Sequence, residues 1–314
     1  MSKYRVVVSD QVFPSVDVER KLLADFGAEL IVSDGTRDGL IRTAADADGI
    51  LNTYLPVDDA LVGSLHRCRI IARYGIGVDN VDIAAAHRAG ITVTNVPDYS
   101  VEEVAVHALA LILALVRHLP QADAKLRSGG WGLDGLRPMR RLSHLTVGFV
   151  GYGKIARRLA ASLEPIVAGT VVYDPYLKPG TGVPELVSLD DLLAQSDIVS
   201  VHAPLTPETR GLMNAARIAR MRPGAILVNT SRGSLVVLED VVAALREGRL
   251  GGAGLDVFDV EPVAAQRVEA VPNLIVTPHM GYYSEESIAE SQCKAATQVI
   301  KVLSGQQPDY PVRA

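Results

Sequence analysis

The stretch that decides the fold is "VGFVGYGKIARRLA", residues 147–160. Its first part is apolar and β-branched, which predicts a buried strand, and its second part has the apolar spacing of a helix. Gly151 and Gly153 stand between the two parts, and Ala156 takes the third small position of a G-x-G-x-x-G/A turn. In such a turn the first glycine permits a tight bend, the second lets a pyrophosphate approach the backbone, and the third lets helix and strand pack closely. The order strand, glycine turn, helix predicts a dinucleotide-binding unit.

An acidic residue follows where this motif needs one. The next apolar run, "TVVYD", ends at Asp174, about 20 residues after the glycine turn. Its carboxylate can accept hydrogen bonds from both hydroxyls of an adenosine ribose, while the helix N-terminus favours the pyrophosphate. A 2′-phosphate about 4 Å from this carboxylate would be repelled by about 4 kcal/mol. The sequence therefore favours NAD over NADP.

Short β-branched runs alternate with helical stretches on both sides of this turn. Five such runs precede it, and six make up the series that begins with the strand of the turn itself. Strands separated by helical stretches of this length predict parallel pairing with helices on both faces. The predicted fold class is α/β, with two doubly wound parallel sheets. A long helix precedes the second series, with Ser100 as its predicted N-cap and Glu103 at capping-box spacing.

Composition narrows the functional classes. The chain has 314 residues, of which 48% are hydrophobic, and a formal net charge of −5. This length allows two compact domains, and the mild negative charge argues against a nucleic-acid partner. The longest apolar run, residues 104–116, is too short to span a membrane, so we expect it to be buried in the core or against a second subunit. Two distant cysteines, Cys68 and Cys293, predict no disulfide framework and no metal site, and they favour a reduced, cytoplasmic compartment.

Polar side chains follow three of the later predicted strands. Arg232 comes after "ILVNTS", Glu261 after "GLDVFDV" and His279 after "LIVTP". Ligands of doubly wound sheets bind beyond the carboxyl ends of the strands, so these side chains form a candidate constellation, although each alone could be a solvated loop residue. Arginine can bind a carboxylate or polarise a carbonyl, and histidine can give or take the proton of an oxygen. Glu261 beside the imidazole would stabilise its charged form. With a nicotinamide to carry hydride, this set predicts reduction of a 2-oxo acid.

Together these motifs resemble the D-isomer-specific 2-hydroxyacid dehydrogenase family, which includes phosphoglycerate dehydrogenase, glyoxylate/hydroxypyruvate reductase and the C-terminal-binding proteins. The resemblance covers almost the whole chain. It rests on "ARYGIGVDNVDI", "GFVGYGKIA", "VHAPLTPETRGLMN", "MRPGAILVNTSRGSLV", "GAGLDVFDVEP" and "TPHMGYYSEES", in the family's order. It implies an NAD-dependent oxidoreductase that acts on the CH–OH group of a small D-2-hydroxy acid, with Arg232, Glu261 and His279 as catalytic residues and His279 as the acid/base.

The resemblance also implies the binding residues. The loop Gly75, Ile76 and Gly77 would offer backbone amides to the substrate carboxylate, and Asp256 would orient the nicotinamide carboxamide. The implied substrate-binding residues are Tyr54, Arg73, Gly75, Ile76, Gly77 and Tyr282. The implied cofactor-binding residues are Gly151, Tyr152, Gly153, Lys154, Ile155, Asp174, His202, Ala203, Pro204, Thr209, Thr230, Ser231, Asp256 and Gly281.

The domain layout is implied in the same way. A Rossmann-type NAD-binding domain, residues 99–285, would be inserted into a flavodoxin-like substrate-binding domain made of residues 1–98 and 286–314. Family members dimerise through the nucleotide domain, which makes the run "VAVHALALILAL" an interface candidate and predicts a homodimer.

Two alternatives stay open on the sequence. Within the family the chain most resembles the branch that contains the C-terminal-binding proteins, so an NAD(H)-sensing regulator with little turnover is one alternative. A dehydrogenase for an unusual acid, such as a phosphonate analogue, is the other. The identity of the hydroxy acid and the physiological direction are also left open by the sequence.

Overall fold

The chain forms two compact units. The computed structural model describes residues 3–178, 180 and 184–313. Unit 1 comprises Met1–Tyr99 and Tyr283–Ala314, and unit 2 comprises Ser100–Tyr282. The chain therefore begins unit 1, builds all of unit 2 as one continuous insertion, and then returns to complete unit 1.

Unit 1 is built on a parallel sheet of five strands in the order β2-β1-β3-β4-β5, which is the flavodoxin-like order. Every residue of the third and fourth strands is buried, as expected for strands covered by helices on both faces. The strands are β1 (Tyr4–Val8), β2 (Ala28–Val32), β3 (Gly49–Asn52), β4 (Ile70–Arg73) and β5 (Thr92–Thr94). The helices before the insertion are α1 (Asp17–Phe26), α2 (Arg37–Ala44), α3 (Asp59–Gly63) and α4 (Ile83–Arg88).

Unit 2 is built on a parallel sheet of seven strands in the order β12-β11-β10-β9-β6-β7-β8. Counted from the glycine-turn strand, this is the doubly wound order of a Rossmann-type domain with one added edge strand. Its strands are β6 (Thr146–Val150), β7 (Gly169–Tyr173), β8 (Glu185–Leu186), β9 (Ile198–Val201), β10 (Ala225–Asn229), β11 (Leu250–Leu255) and β12 (Leu274–Val276). Its helices are α5 (Val101–Val116), α6 (Leu119–Arg127), α7 (Lys154–Leu163), α8 (Leu189–Gln195), α9 (Ala215–Ile218) and α10 (Leu238–Arg246). The predicted fold class is confirmed. Strand β8 was not predicted, because two residues with one apolar side chain give no strand pattern.

Helix α11 (Glu285–Leu303) returns the chain to unit 1, where it packs beside α1 and against β3 and β4. It begins with a capping box formed by Ser284 and Ser287. The capping box predicted at Ser100 was wrong. Ser100 is the N-cap of α5, but its backbone, at φ −129° and ψ 26°, is not extended, and its side chain caps no amide.

Helix α5 is a core element of unit 2. Its apolar face packs on β10, β11 and α7. Gly252 and Gly254 of β11 make room for it, because a Cβ at these positions would come within 2.9 and 3.1 Å of Leu115 and Leu111. The expectation that this run forms a subunit interface is therefore corrected for half of its residues, because they are buried inside the unit. Those buried inside the unit are Val104, Ala105, Ala108, Leu111, Ile112, Leu115 and Val116.

Three further observations bear on the functional class. Among the described helices, none alone is long and apolar enough to cross a membrane; α5 and α6 pass that test of length and composition only as a pair, with a bend of 58° between them. Across residues 3–178, 180 and 184–313, no group of three or more His, Cys, Asp or Glu side chains is placed to hold a metal ion. Cys68 and Cys293 are free thiols, one buried and one exposed.

Candidate functional site

The glycine turn follows β6 and packs against the loop that follows β9. Gly151 has φ 88°, and a Cβ there would lie 2.8 Å from the carbonyl carbon of His202 and from the amide of Ala203. Gly153 stands at the N-cap of α7, and no heavy atom of the described residues lies within 4 Å of the position its Cβ would take. Ala156 is fully buried against the strand side. Gly151 thus lets the turn pack tightly against the loop after β9, and Gly153 leaves open space at the N-terminus of α7.

Asp174 is fixed at the end of β7 by the backbone around it. Its Oδ2 accepts the amide of Tyr152 at 2.9 Å, and its Oδ1 accepts the amide of Tyr176 at 2.9 Å. Each carboxylate oxygen keeps a second lone pair for another donor, such as a ribose hydroxyl. The amide of Tyr152 is thus engaged within the protein, while Lys154 and the half-buried Ile155 open the helix beside it.

The loop after β9 carries a neutral histidine. Burial lowers the pKa of His202 to about 4, so its imidazole is uncharged near pH 7. Its Nε2 lies 2.8 Å from the hydroxyl of Ser200. Further along the loop, the Thr209 hydroxyl donates to the carbonyl of Pro204 at 2.7 Å, which folds the segment back on itself.

The loop after β10 contains an unsatisfied polar atom. Thr230 is 8% exposed, and its buried hydroxyl has no hydrogen-bond partner among the described residues. The neighbouring Ser231 hydroxyl, in contrast, donates to the carbonyl of Val201 at 2.9 Å. A buried hydroxyl with no partner among the described residues is available to a bound ligand. Together with the open face of Gly153, it shows that the residues at this edge of the sheet fit a dinucleotide.

Arg232 is held by its own loop. The Asn229 side chain donates to the carbonyl of Arg232 at 2.9 Å, and the Arg232 Nη1 donates to the carbonyl of Ser231 at 2.8 Å. The next residue, Gly233, packs on the backbone of Phe258, because a Cβ there would lie 1.8 Å from the Phe258 carbonyl carbon. This contact ties the arginine loop to the segment that carries Glu261.

Glu261 connects that segment to His279. Its Oε1 accepts the Phe258 amide at 2.8 Å, and its Oε2 lies 2.7 Å from the His279 Nδ1. Burial opposes ionisation of Glu261, but the hydrogen bonds from His279 and Phe258 and the nearby charge of Arg232 outweigh it, so the pKa of Glu261 is lowered. The structure therefore brings together the three residues that the sequence analysis assigned to catalysis.

The backbone of His279 is strained. Its φ of 52° lies in the left-handed region, where residues other than glycine are uncommon. The His279 amide donates to the Asp256 carbonyl at 2.8 Å, which holds this conformation. The ring of Tyr282 stands edge-on to the imidazole, with 6.0 Å between ring centroids.

Asp256 fixes the same loop through hydrogen bonds that its buried carboxylate accepts. It is 1% exposed, and its carboxylate accepts the Thr277 hydroxyl at 2.5 Å and the amides of Met280 and Gly281, each at 2.9 Å. Burial opposes its ionisation, yet these bonds and His107 together lower the pKa of Asp256. The implied contact of Asp256 with a nicotinamide stays a prediction, whereas the hydrogen bonds establish its role inside the loop.

His107 belongs to the apolar run 104–116, which the sequence analysis expected to be buried, and its side chain contacts the loop that carries His279. From α5 its Nε2 lies 2.9 Å from the Thr277 hydroxyl and 3.4 Å from the Asp256 Oδ1. The one signal available in the sequence was a polar residue within an otherwise apolar helix face, and that pattern does not identify a partner.

In unit 1 the candidate substrate residues lie at the ends of β3 and β4 and in the loops that follow. Tyr54 is 38% exposed, whereas Arg73 is buried, and its Nε donates to the Asn80 side chain at 3.0 Å. A Cβ at Gly75 would fall 1.6 Å from the Arg73 Nη1. A side chain at position 75 would therefore require the Arg73 guanidinium to shift, because the guanidinium occupies the space beside this backbone.

The loop of Gly75, Ile76 and Gly77 is fixed through its carbonyl groups. The Gly75 carbonyl accepts the amide of Val96 at 3.1 Å, and the Ile76 carbonyl accepts the Asn95 side chain at 2.7 Å. Just before the loop, the Tyr74 carbonyl accepts the hydroxyl of Ser291 from α11 at 2.5 Å. Carbonyls bound in this way set the orientation of the peptide planes along the loop.

Comparison with known proteins identifies the family. Residues 109–281 match the model of the D-isomer specific 2-hydroxyacid dehydrogenase, NAD binding domain. The chain belongs to the D-isomer specific 2-hydroxyacid dehydrogenase family. The residues that match the NAD-binding domain all lie within unit 2.

Individual relatives extend the similarity along the chain. The D-3-phosphoglycerate dehydrogenase of Mycobacterium tuberculosis (strain ATCC 25618 / H37Rv) is 38% identical over 306 residues, which are 95% of this chain and 56% of that protein. The hydroxypyruvate reductase of Thermotoga maritima is 34% identical over 96% of this chain and 98% of that protein. The crystal structure of the TT0316 protein from Thermus thermophilus matches with a TM-score of 0.90 at 35% identity, covering 98% of this chain and 100% of that one. The chain spans about half the length of the D-3-phosphoglycerate dehydrogenases that it matches.

Proposed function

We propose that this protein is an NAD-dependent D-2-hydroxyacid dehydrogenase that interconverts a small 2-oxo acid and its D-2-hydroxy acid. The observation that carries the proposal is the hydrogen bond of 2.7 Å between the His279 Nδ1 and Glu261, beside a loop that holds Arg232. The family and the hydroxypyruvate reductase of Thermotoga maritima support the same reaction class.

The cofactor would lie at the carboxyl edge of the unit 2 sheet. Bound NAD supplies or accepts the hydride. The open backbone at Gly153 and the amides at the start of α7 would receive its pyrophosphate. Asp174 would accept the ribose hydroxyls, and the orphan hydroxyl of Thr230 would gain a partner. The remaining residues proposed to line the cofactor are Gly151, Tyr152, Lys154, Ile155, His202, Ala203, Pro204, Thr209, Ser231, Asp256 and Gly281.

His279 would hold and move the substrate proton. Its Nδ1 faces Glu261, and its Nε2 would face the reacting oxygen. In reduction His279 would donate this proton to the oxygen at C2, and in oxidation it would remove the hydroxyl proton. Glu261 keeps a negative charge at neutral pH, since its pKa is lowered, and it stabilises the imidazolium before the proton is given.

Each unit offers positively polarised groups that suit a substrate carboxylate. In unit 2, Arg232 would offer a forked pair of donors to the carboxylate or the C2 oxygen. In unit 1 the amides of Gly75, Ile76 and Gly77 would form an anion nest, with Arg73 behind Gly75 adding positive charge. The other residues proposed to bind substrate are Tyr54 and Tyr282.

The test is a substrate panel with the wild-type protein. We expect NADH consumption with at least one of glyoxylate, hydroxypyruvate, 3-phosphohydroxypyruvate, pyruvate, phenylpyruvate and 2-oxoisocaproate. A second candidate function, an NAD(H)-sensing regulator, has the same nucleotide unit in its favour. Tight NADH binding without turnover of any member of the panel would contradict the dehydrogenase proposal and favour the sensor.

We also propose a homodimer in the cytoplasm. Large apolar side chains lie exposed within residues 119–133 of unit 2, namely Leu119, Leu126, Trp131 and Leu133, and Trp131 is 86% exposed. Exposed apolar side chains that gather into one patch mark an association surface, and we propose that these four do so. Trp131 is the single tryptophan of the chain, so its fluorescence emission should shift to the red when the protein is diluted below the dissociation constant. The replacement Trp131→Glu should yield a monomer in light scattering, and a dimer that persists would contradict this surface. Cell fractionation tests the compartment.

A further inference from the structure

The loop that carries His279 is contacted by α5, through His107, which precedes Thr277 by 170 residues in the sequence. We propose that His107 of α5 is a positioning residue for His279, acting through Thr277 and Asp256. This inference rests on the proposed function, in which His279 is the acid/base. None of the family's motifs quoted above contains His107.

The hydrogen bonds define which atom donates. The Thr277 hydroxyl has one proton, and it donates this proton to the Asp256 Oδ1 at 2.5 Å, because an ionised carboxylate only accepts. The His107 Nε2, at 2.9 Å from the same hydroxyl, must therefore donate to the oxygen of Thr277. The chain of donors runs in one direction, from His107 to Thr277 to Asp256.

The packing around this chain leaves little freedom. Asp256 is 1% exposed, and the side chain of His107 is 16% exposed. Gly281 fits between them only because it lacks a side chain: a Cβ there would lie 2.8 Å from the Asp256 Oδ2 and 3.2 Å from the His107 ring. The ring of His107 therefore packs beside Gly281 as well as against Thr277.

The network explains how the backbone of His279 is held. A residue in the left-handed region costs about 1 kcal/mol or more, and it persists only where its surroundings fix it. Here the fixed points are Thr277 on one side and Met280 and Gly281 on the other, all bound to the carboxylate of Asp256. Without the donor of His107, the Thr277 oxygen is held only by its own bond to Asp256, and the carboxylate loses part of its positive surroundings. The imidazole of His279 would then move relative to Glu261.

The test compares three variants. His107→Leu removes the donor and keeps an apolar volume. His107→Gln keeps an amide nitrogen near the position of Nε2, and Val106→Ala changes an exposed neighbour on the same helix as the control. A displacement of about 1 Å costs catalysis about 100-fold. We therefore expect His107→Leu to lower kcat roughly 100-fold with KM for NADH changed less than about three-fold, since the effect is on the reacting groups. His107→Gln should recover at least ten-fold of that loss, and Val106→Ala should match wild type.

A merely structural role predicts a different result. It would lower Tm in both His107 variants and leave kcat per NADH-binding site within about two-fold of wild type, and that outcome would overturn the proposal. If His107→Leu does not fold, the test is the comparison of kcat between His107→Gln and His107→Asn. The shorter asparagine cannot place its nitrogen at Nε2, so its kcat should be lower. Equal kcat in that pair would overturn the proposal.

A crystal structure of His107→Leu gives a readout without turnover. We expect the separation of the His279 Nδ1 and the Glu261 Oε2 to exceed 2.7 Å by about 1 Å, or φ of His279 to leave the left-handed region. An unchanged loop would contradict the positioning role even if no substrate is found. If the wild type turns over no 2-oxo acid while the variant loop moves, the proposed function fails and the positioning role stands.

Discussion

The carboxyl edges of the two sheets share one architecture and differ in what fills them. In both sheets the strand order reverses beside the first strand, between β1 and β3 in unit 1 and between β6 and β9 in unit 2, and ligands of such folds bind at this point. In unit 1 the carboxylate of Asp10 fills it, accepting the amides of Thr53, Tyr54 and Leu55 at 3.1, 2.7 and 3.2 Å. In unit 2 the backbone at Gly153 faces open space and the Thr230 hydroxyl has no partner among the described residues.

In each sheet the fold provides a place where an anion can bind. The surrounding side chains determine whether that anion is a carboxylate of the chain itself or part of a ligand. Successive amides that point to one spot form a nest for negative charge. Unit 1 satisfies this nest with a carboxylate of its own chain, which also fixes the backbone of Tyr54. Unit 2 leaves the corresponding groups for a ligand. The cofactor is therefore expected at the edge of the unit 2 sheet.

The largest effect is expected for a pair of alanine replacements in the glycine turn. Gly151→Ala forces a side chain into the left-handed region and within 2.8 Å of the His202 backbone, so we expect a loss of about 5 kcal/mol of unfolding free energy. Gly153→Ala meets open space and should change stability by less than about 1 kcal/mol. It should nevertheless weaken NADH binding at least ten-fold in a fluorescence titration. Equal losses of stability in the two variants would contradict the distinction between a closed and an open glycine.

Removing the internal anion of unit 1 should cost somewhat less. Asp10→Ala leaves the amides of Thr53, Tyr54 and Leu55 without their acceptor, and an unsatisfied buried donor costs about 1–3 kcal/mol. Because water can reach some of them, we expect a total loss of about 3–4 kcal/mol in urea unfolding. Asp10→Asn keeps one acceptor oxygen and should lose less. Unchanged stability in Asp10→Ala would show that the carboxylate does not fix this edge.

The pH dependence of stability tests the burial of His202, which lies in the loop after β9 against which Gly151 packs. An unfolded histidine binds a proton below pH 6.5, whereas burial holds the pKa of His202 at about 4. Between these values the unfolded state binds more protons, so this contribution is fully present above pH 6.5 and is lost as the pH falls towards 4. The loss reaches about 3 kcal/mol at its limit. It should be absent in His202→Gln and retained in His66→Gln, an exposed control, and parallel curves for wild type and His202→Gln would refute it.

The smallest effect on stability is expected at the open edge. Thr230→Val removes a buried hydroxyl that has no partner among the described residues, so we expect the unfolding free energy to stay the same or to rise by about 1 kcal/mol. If the cofactor satisfies this hydroxyl, NADH binding should weaken about five-fold by the loss of one hydrogen bond. Calorimetric titration measures the second quantity. A variant that is less stable but binds NADH normally would place the hydroxyl in the protein's own network.

Much of the fold followed from sequence because its signals are local. The β-branched runs and the turn at Gly151 define strands, crossovers and their parallel pairing. The edge strand β8 was missed because pairing with β7, and not its composition, makes it a strand. The capping box predicted at Ser100 was wrong because the backbone angles at the start of a helix depend on the segment that precedes it.

The candidate site was predictable in part for a related reason. Arg232, Glu261 and His279 were found because each follows a strand, and the edge of a parallel sheet collects such residues. Asp10 and His107 were not found, because their roles depend on contacts with Thr53 and Thr277, far away in the sequence. The burial of Arg73 behind Gly75 likewise depends on packing that no spacing reveals.

The most direct test of the central claim is the rate of NADH oxidation by His279→Gln with the best substrate of the panel. Loss of a general acid lowers the rate by about 100- to 10,000-fold. We predict a loss in this range, with the dissociation constant for NADH, measured on the same preparation, changed less than about three-fold, because the residues proposed to hold the cofactor remain. A variant that keeps more than about a tenth of the wild-type rate would contradict the assignment of His279 as the acid/base and, with it, the proposed chemistry of this site.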